Sequence, residues 1–595
     1  MSWTYRRITV AEMKSWLEWL DRLISRPVPF LLPERVGGRI FTHQFGPLEG
    51  GSQTDAAKYE YFDAGAMRFH KSPFMKRLTD LVERLGSLTE IPYVFADEHQ
   101  ATFLSYNGIS ITRKDESLGI DPDPFKVRQA LIQPSNQPQT ELEWLLVPSS
   151  AQRWLTEVAL EEPRSLFKKD VPIQEAIRQL FEKYDCYTMR SWLTSRVFPP
   201  MTKPLTFPQI AWLRRSTDQV ERLTRHSQKS SSVRRYRMTG QVKKLPNGTA
   251  SSAWLQISRS LRYIPNNESS GGSSQLPLAM EQKIKSEVKK NHSVTLIREN
   301  KSTSQSPSSM TVVTNNDSCK EYAAVLCTLP FGCLSAMDLT GCSIMTENYS
   351  QWSSIRELKY TPAIKIGMRF KSPWWEERLG IIGGQSFSDL PLRRIAYPSY
   401  PKGHSKSNCL IASYCLLTDS LRLSSLVENP KTGTASATLI RLVMRDLAII
   451  HNLDVKDIEE YYDDNGENCF VWDWNQDPFT MGGFAFYGPT QFFHQHQAMM
   501  QPAANGKLFF SGEALSSAHG WVVGALESAW NCVSTFLQSH QLKDEDGKLL
   551  HDKFLQQWPD LSNILGLKDE FVKLSFGSEK DIDRTAPDVS KCVMS

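Results

Sequence analysis

Three short stretches of this 595-residue chain set small residues beside fixed charges, a pairing suited to holding an anion or an acid group. The first is Arg35-Val36-Gly37-Gly38-Arg39. Paired glycines permit close backbone approach, and a flanking guanidinium offers a fork of donors to a phosphate. The second is Asp63-Ala64-Gly65-Ala66-Met67-Arg68, where Arg68 can grip a carboxylate through two parallel hydrogen bonds. The third is Gly512-Glu513-Ala514 followed by His519-Gly520-Trp521-Val522-Val523-Gly524-Ala525. It reads as a strand end, a short loop and a helix start, and a helix N-terminus presents unpaired N–H groups with partial positive charge. Each stretch also has a plain structural reading: a glycine turn, a surface salt bridge, an ordinary strand–helix joint.

The surrounding pattern says which elements hold these stretches. Residues 505–513 read as a strand entering a glycine turn, with helical spacing resuming after Gly520. Met310–Thr314 and Tyr322–Leu329 read as strands, the second ending at Pro330. Helical spacing covers 11–24, 73–86 and 171–195; in the first, Met13, Trp16, Leu17, Leu20, Leu23 and Ile24 share one face. Pro27, Pro29 and Pro33 exclude a helix beyond it. Residues 225–252 are basic and serine-rich. A solvated insertion explains them better than a nucleic-acid patch, because no aromatics are interleaved with the charges. Strands and helices alternating at both ends around a helix-rich insert point to an α/β nucleotide-binding domain with a second domain inserted.

Composition narrows the classes. The length exceeds what one core supports. A formal charge of +4 gives no strong pull toward nucleic acid or anionic membrane. Ten cysteines show no CxxC pair and no Cys/His metal spacing, so no metal and reduced thiols are expected. No run reaches about 18 apolar residues, so no transmembrane segment is expected. The start lacks an apolar leader core, which points to a cytoplasmic location. Cys592-Val593-Met594-Ser595 has the form of a prenylation box, or is a chance match on a polar tail running from about residue 570.

Taken in order, RVGGR, GAMR and GEA with HGWVVGA resemble the flavin amine oxidase superfamily, in its fungal L-amino-acid-oxidase-like branch. KYDCYTMRSWL (183–193), Gly271-Gly272 with Leu276-Pro277, Val294, TLPFGCL (328–334), KYTPAIKIGMRF (359–370), GGQSFSDLPLRRIAYPSY (383–400) and Trp474 extend the resemblance across roughly 34–540. It implies an α/β (α+β) fold: a Rossmann-like FAD-binding domain with an inserted substrate-binding domain of mixed sheet plus helices. The implied division gives 34–72, 240–335 and 470–540 to FAD binding, 73–239 to a helical and substrate segment, and 336–469 to substrate binding. Residues 1–33 then form a divergent N-terminal helix and proline-rich segment, and 541–595 a partly disordered extension.

The resemblance also assigns roles. Non-covalent FAD would meet Gly37, Gly38, Arg39, Gly65, Ala66, Met67, Arg68, Val294, Glu513 and Gly520–Ala525, that is Gly520, Trp521, Val522, Val523, Gly524 and Ala525. Val294 would meet adenine through its backbone. The amides near Trp521 and Val522 would face the anionic edge of the flavin ring. Lys365 would hold a water near the reacting ring nitrogen. Arg68 and Tyr397 would grip a substrate carboxylate, and Trp474, Gly520 and Trp521 would wall the substrate site; a solvated Lys365 and a backbone-bonded Tyr397 are the structural alternatives. The implied reaction is oxidative deamination of an L-amino acid or related amino-carboxylate to a 2-oxo acid, ammonia and H2O2. O2 would be the electron acceptor, and a homodimer is compatible with the pattern. Two other readings stand beside it: a biosynthetic oxidase of a tailored amine, and a binding protein that descends from an oxidase and holds no flavin.

The chain departs from the pattern at its N-terminal side. A dinucleotide-binding domain opens with a strand, a GxGxxG turn, a helix, and a second strand ending in an acid that binds ribose. No glycine precedes Gly37, and the acid's position, counted back from Arg35, falls at Leu31. The domain is therefore expected to be N-terminally incomplete, with its central strand missing and unpaired edges exposed.

Overall fold

The computed structural model describes residues 7–9, 30–31, 35–46, 59–70, 75–93, 100–127, 209, 212, 260–265, 271–284, 286, 288–302, 308–316, 318–399, 407–516 and 518–561. The helical patterns expected at 11–24 and 171–195, the basic run at 225–252, the 183–193 segment and the tail with Cys592 lie outside these residues.

In chain order the elements that matter to the site begin with two short strands, β1 (Arg7–Thr9) and β2 (Phe30–Leu31). A hairpin pair follows, β3 (Thr42–Gln44) and β4 (Tyr61–Asp63). Helices α1 (Lys76–Leu85) and α2 (Gln275–Lys283) precede strands β5 (Val288–Lys289), β6 (Val294–Asn300) and β7 (Ala324–Cys327). Next come β8 (Ala363–Arg369), β9 (Cys409–Leu416), α3 (Ala437–His451), β10 (Cys469–Asp473) and β11 (Phe484–Phe486). The last are β12 (Leu508–Phe510), α4 (Val522–His540) and α5 (Leu550–Gln557).

Two sheets organise the molecule. A five-stranded sheet runs in the order β5-β2-β1-β7-β12, every pairing parallel. This is the order of an open dinucleotide-binding sheet, whose crevice lies beyond the carboxyl ends of the strands. The central place expected to be missing is filled: Arg7, Ile8 and Thr9 pair with Ala324, Val325 and Leu326, and Thr9 pairs with Phe30. Residues 1–33 thus contribute two strands to this sheet and are not merely a helix and a proline run. The strand pattern missed them because two or three residues carry too little periodicity to register. The connection between β1 and β2 remains without glycine.

The second sheet has nine strands, with β10, β8 and β9 adjacent near its middle. The domain boundary expected before residue 470 cuts through β10, which belongs to this sheet. All seven residues of β8 are buried, since the sheet is covered on both faces. On one face lies α3, capped by the Ser436 side chain, which accepts from the Leu439 N–H, and terminated by Asn452 in the left-handed region.

Helix α4, 19 residues and so about 28 Å long, packs against the parallel sheet together with α1 and α5. Leu78, Leu81, Val82 and Leu85 give α1 one apolar face, and Gly86 closes it at φ 66°. Arg77, only 2% exposed, docks α1 onto α4: its Nε donates to Glu527 at 2.6 Å, and its guanidinium lies over Trp530. Burial dominates at Glu527 and raises its carboxyl pKa against the pull of Arg77. Among the described residues no helix is long and apolar enough to cross a membrane.

Candidate active site

The glycine motifs build the site by packing against one another. Gly65 N–H donates to Phe41 O at 2.9 Å, and Ala66 N–H donates to Arg39 O at 3.2 Å. A Cβ on Gly65 would sit 2.3 Å from Arg39 O, and one on Gly37 would sit 2.8 Å from both Ile40 O and Pro277. With φ at +100°, Gly37 also adopts a conformation that side-chain-bearing residues avoid. Gly65 therefore locks the second loop onto the first, Gly37 packs its own turn against Pro277, and both glycines also line the cavity described below.

Three consecutive carbonyls of the second loop are held from below by the nine-stranded sheet. Lys365 Nζ donates to Asp63 O at 2.8 Å and to Gly65 O at 2.6 Å, and Trp474 Nε1 donates to Ala64 O at 3.0 Å. Lys365 is 3% exposed and sits opposite Tyr414 across β8 and β9, with its ammonium 4.8 Å from that ring's centre.

Glu513 is the second organiser. Its Oε1 accepts from Gly520 N–H at 2.7 Å, and its Oε2 accepts from Ala485 N–H at 3.0 Å and Arg39 at 3.1 Å. One buried carboxylate thus joins the first loop, β11 and the turn before α4. Arg39 also lies over the Tyr360 ring at 5.6 Å, and burial pushes that phenol's pKa up. Gly520, at φ +75°, turns the chain into α4, whose N-terminus no side chain caps. Gly524 lets this helix start press on its own approach, since a Cβ there would meet Ala518 O and Ser516 Oγ at 2.4 Å.

Between these parts lies a cavity of about 950 Å³, counting the solvent at its mouth. This is at the upper end of what a small-molecule or cofactor site occupies. Gly37, Arg39, Gly65, Ala66, Lys365, Trp474, Glu513, Gly520, Trp521, Val522 and Ala525 all line it, so eleven positions singled out from the sequence converge. Others do not. Met67 is buried with Phe62 and Ala396, and Val523, in the first turn of α4, is buried in the core that this helix shares with the parallel sheet. Gly38, Arg68, Gly524 and Val294 are not among the lining residues; Val294 starts β6 in a separate antiparallel sheet.

Tyr397 lies apart from the residues that line the cavity. It is 1% exposed and sits in the core between the nine-stranded sheet and α3. Its hydroxyl lies 2.7 Å from Ser386 Oγ and 2.5 Å from His451 Nε2. His451 Nδ1 lies 2.6 Å from Leu447 O, which can only accept, so Nδ1 carries the proton and Nε2 accepts from Tyr397. Burial pushes the His451 pKa down to about 4, which keeps the ring neutral. The phenol is thus engaged in the core and is not among the residues lining the cavity.

The sequence gives no role to Tyr414, Phe484, Leu276, Pro277 and Met280, which also line the cavity. Leu276 and Pro277 were matched as a motif without a role. Tyr414 was findable only through its register opposite Lys365.

A profile of flavin-containing amine oxidoreductases matches residues 33–535. The chain belongs to that family. A protein of Hebeloma cylindrosporum named L-amino-acid oxidase 4 is 33% identical over 547 residues, covering 87% of this chain and 79% of that one. A protein of Protobothrops flavoviridis named L-amino-acid oxidase is 28% identical over 262 residues, covering 43% of this chain and 46% of its own. Among solved structures, a redesigned variant of putrescine oxidase superposes with a TM-score of 0.59 at 14% identity, over 90% of this chain and 99% of that one. This last likeness concerns the fold.

The cavity fits the ring end of the family's cofactor, FAD. Its walls are mostly apolar, and the uncapped N-terminus of α4 brings partial positive charge to one side. The phosphate end fits poorly, since no glycine stands between β1 and β2 and the residue closing β2 is Leu31.

Proposed function

We propose that this family member is an FAD-dependent oxidase that deaminates an L-amino acid or related amino-carboxylate to a 2-oxo acid, ammonia and H2O2, with O2 as acceptor. The observation that carries this reading is the convergence of Lys365, Glu513, Arg39 and the α4 N-terminus on one cavity. The overall likeness to a fungal protein named L-amino-acid oxidase 4 supports the choice of substrate class.

The bound flavin supplies the two-electron acceptor. The chain's own residues supply shape and charge. The amides at the start of α4 would favour an electron-rich ring edge without moving, because Glu513 fixes Gly520 beforehand. Lys365 and Trp474 hold the Asp63–Gly65 backbone rigid, so the cavity floor is set before any ligand arrives. Trp474, Phe484, Trp521 and Tyr414 exclude water and orient the substrate's reacting carbon. Tyr414, which lines the cavity, would supply a phenol to the substrate. Arg68, half-buried and two residues beyond the cavity-lining Ala66, would supply the carboxylate grip.

The place of Tyr397 outside the cavity lining favours a second reading, oxidation of a tailored amine that carries no carboxylate. Incubation of the flavin-loaded chain with panels of L-amino acids and primary amines, with peroxide, ammonia and 2-oxo acid measured together, separates the two. Equal yields from amino acids are expected. Turnover of amines with none of amino acids would establish the second reading, and no turnover at all would sink both.

A further inference from the structure

The two halves of a flavin dinucleotide meet different provisions in this chain. At the ring end, cavity-lining residues come from far-apart positions such as Gly37, Pro277, Lys365, Tyr414 and Trp521, locked by hydrogen bonds that need no ligand. At the other end the strands are present and their chemistry is not. β1, β2 and β5 stand side by side and parallel, the arrangement that places a diphosphate on the turn after β1 and a ribose at the tip of β2. That turn requires glycines for close backbone approach to the phosphates, and the chain from Val10 to Pro29 contains none. The ribose position is Leu31, a side chain with no acceptor. The two arginines of the glycine motif are already committed. Arg39 pairs with Glu513, and Arg35 donates to Gly38 O at 2.7 Å while lying over Phe41 at 4.5 Å.

We propose that this chain holds its flavin through the ring and ribityl portion, and that the adenylate half of FAD contributes little to affinity. The inference rests on the flavin reading above and deepens it by naming the part of the cofactor that is recognised. Consequently FMN and riboflavin occupy the cavity nearly as well as FAD, and ADP does not compete with any of them.

The full chain, freed of flavin by dialysis, is titrated separately with FAD, FMN and riboflavin, and binding is read from quenching of flavin fluorescence. Dissociation constants within about tenfold of one another are expected, as is an equal weakening of all three in Trp521→Ala. ADP in excess leaves each curve unmoved. An FAD affinity more than a hundredfold above that of riboflavin, or displacement of FAD by ADP, overturns the inference and leaves the oxidase reading intact. Failure of all three flavins to bind overturns both. A Trp521→Ala effect confined to FAD would also overturn the inference, because the ring would then not be the shared contact.

Discussion

Two phenols in one sheet offer a sharp test of which face of the sheet does the chemistry. Removing the Tyr397 hydroxyl in Tyr397→Phe leaves His451 Nε2 without its donor and Ser386 Oγ without its acceptor, both inside the core. Ser386 Oγ also accepts from Phe103 N–H at 2.8 Å, so its own proton has only the Tyr397 oxygen to serve in this chain of bonds. Each buried polar atom left unsatisfied costs about 1–3 kcal/mol. Part is recovered if Ser386 rotates, so a net loss of roughly 2–3 kcal/mol is expected. Urea denaturation of the loaded protein should show the midpoint falling with an unchanged slope. Steady-state kinetics at a temperature where both proteins are folded should show KM within twofold of the parent. Tyr414→Phe should do the reverse: little change in midpoint, and KM raised about fivefold to fiftyfold, which corresponds to losing one hydrogen bond of about 1–2.5 kcal/mol to the substrate. If Tyr397→Phe raised KM tenfold at unchanged stability, the assignment of its hydroxyl to the core would be wrong.

Other consequences follow from the same geometry. Lys365→Met removes the donor that serves Asp63 O and Gly65 O, and should cost roughly 2–4 kcal/mol of stability; flavin uptake should fall with it, and an unchanged thermal midpoint would show that the lysine does not hold the loop. Glu513→Gln keeps the shape, breaks the charge pairing with Arg39, and turns an amide NH2 toward either the Gly520 or the Ala485 N–H. A loss of roughly 3 kcal/mol is expected in the apoprotein, measured by denaturant titration without flavin. Burial pushes the His43 and His451 pKa values down to about 4, so the unfolded chain binds more protons than the folded one between about pH 4 and 6.5. Stability should thus be complete above about pH 6.5 and decline as pH falls through this window, by up to roughly 3 kcal/mol per histidine; a decline from pH 7 to 4.5 about half as steep in His451→Gln as in the parent would support the assignment, and parallel slopes would refute it.

The helices and strands with strong periodicity were legible. The 73–86 spacing became α1, the strand expected at 505–513 became β12, and the helix expected after Gly520 became α4. The face that Tyr397 occupies was not legible. Strand direction alternates side chains, but both faces of the nine-stranded sheet are buried, so no polar–apolar alternation marks which side meets the cavity. A motif match fixes the position of Tyr397 in the chain, while its orientation follows from the register of Ala396 against Ile411 and from Tyr397 N–H bonding to Gly384 O. Lys365 was legible as a cavity residue, yet its work on two carbonyls was not, because the partners lie about 300 residues away in sequence. The packing work of the glycines was not legible: Gly65 admits the first loop at Arg39 and Phe41, and Gly37 admits Ile40 O and Pro277.

The separation of ring from phosphate also explains how a sheet of this kind tolerates an N-terminal segment without its glycine turn. Pairing of β1 with β7 and β2 uses backbone groups alone, which any sequence able to stay extended can provide. The glycines of the dinucleotide turn serve the ligand, so their absence removes ligand contacts without removing the strand. Among the described residues, the reaction-facing cavity draws none of its walls from positions before Gly37, and its floor and its helix start are fixed by Lys365 and Glu513. Substitutions between β1 and β2 should accordingly change flavin affinity little and leave the geometry around Lys365 and Trp521 as it is. Substitutions at Lys365 or Glu513 should disturb the cavity itself, whichever form of the flavin occupies it.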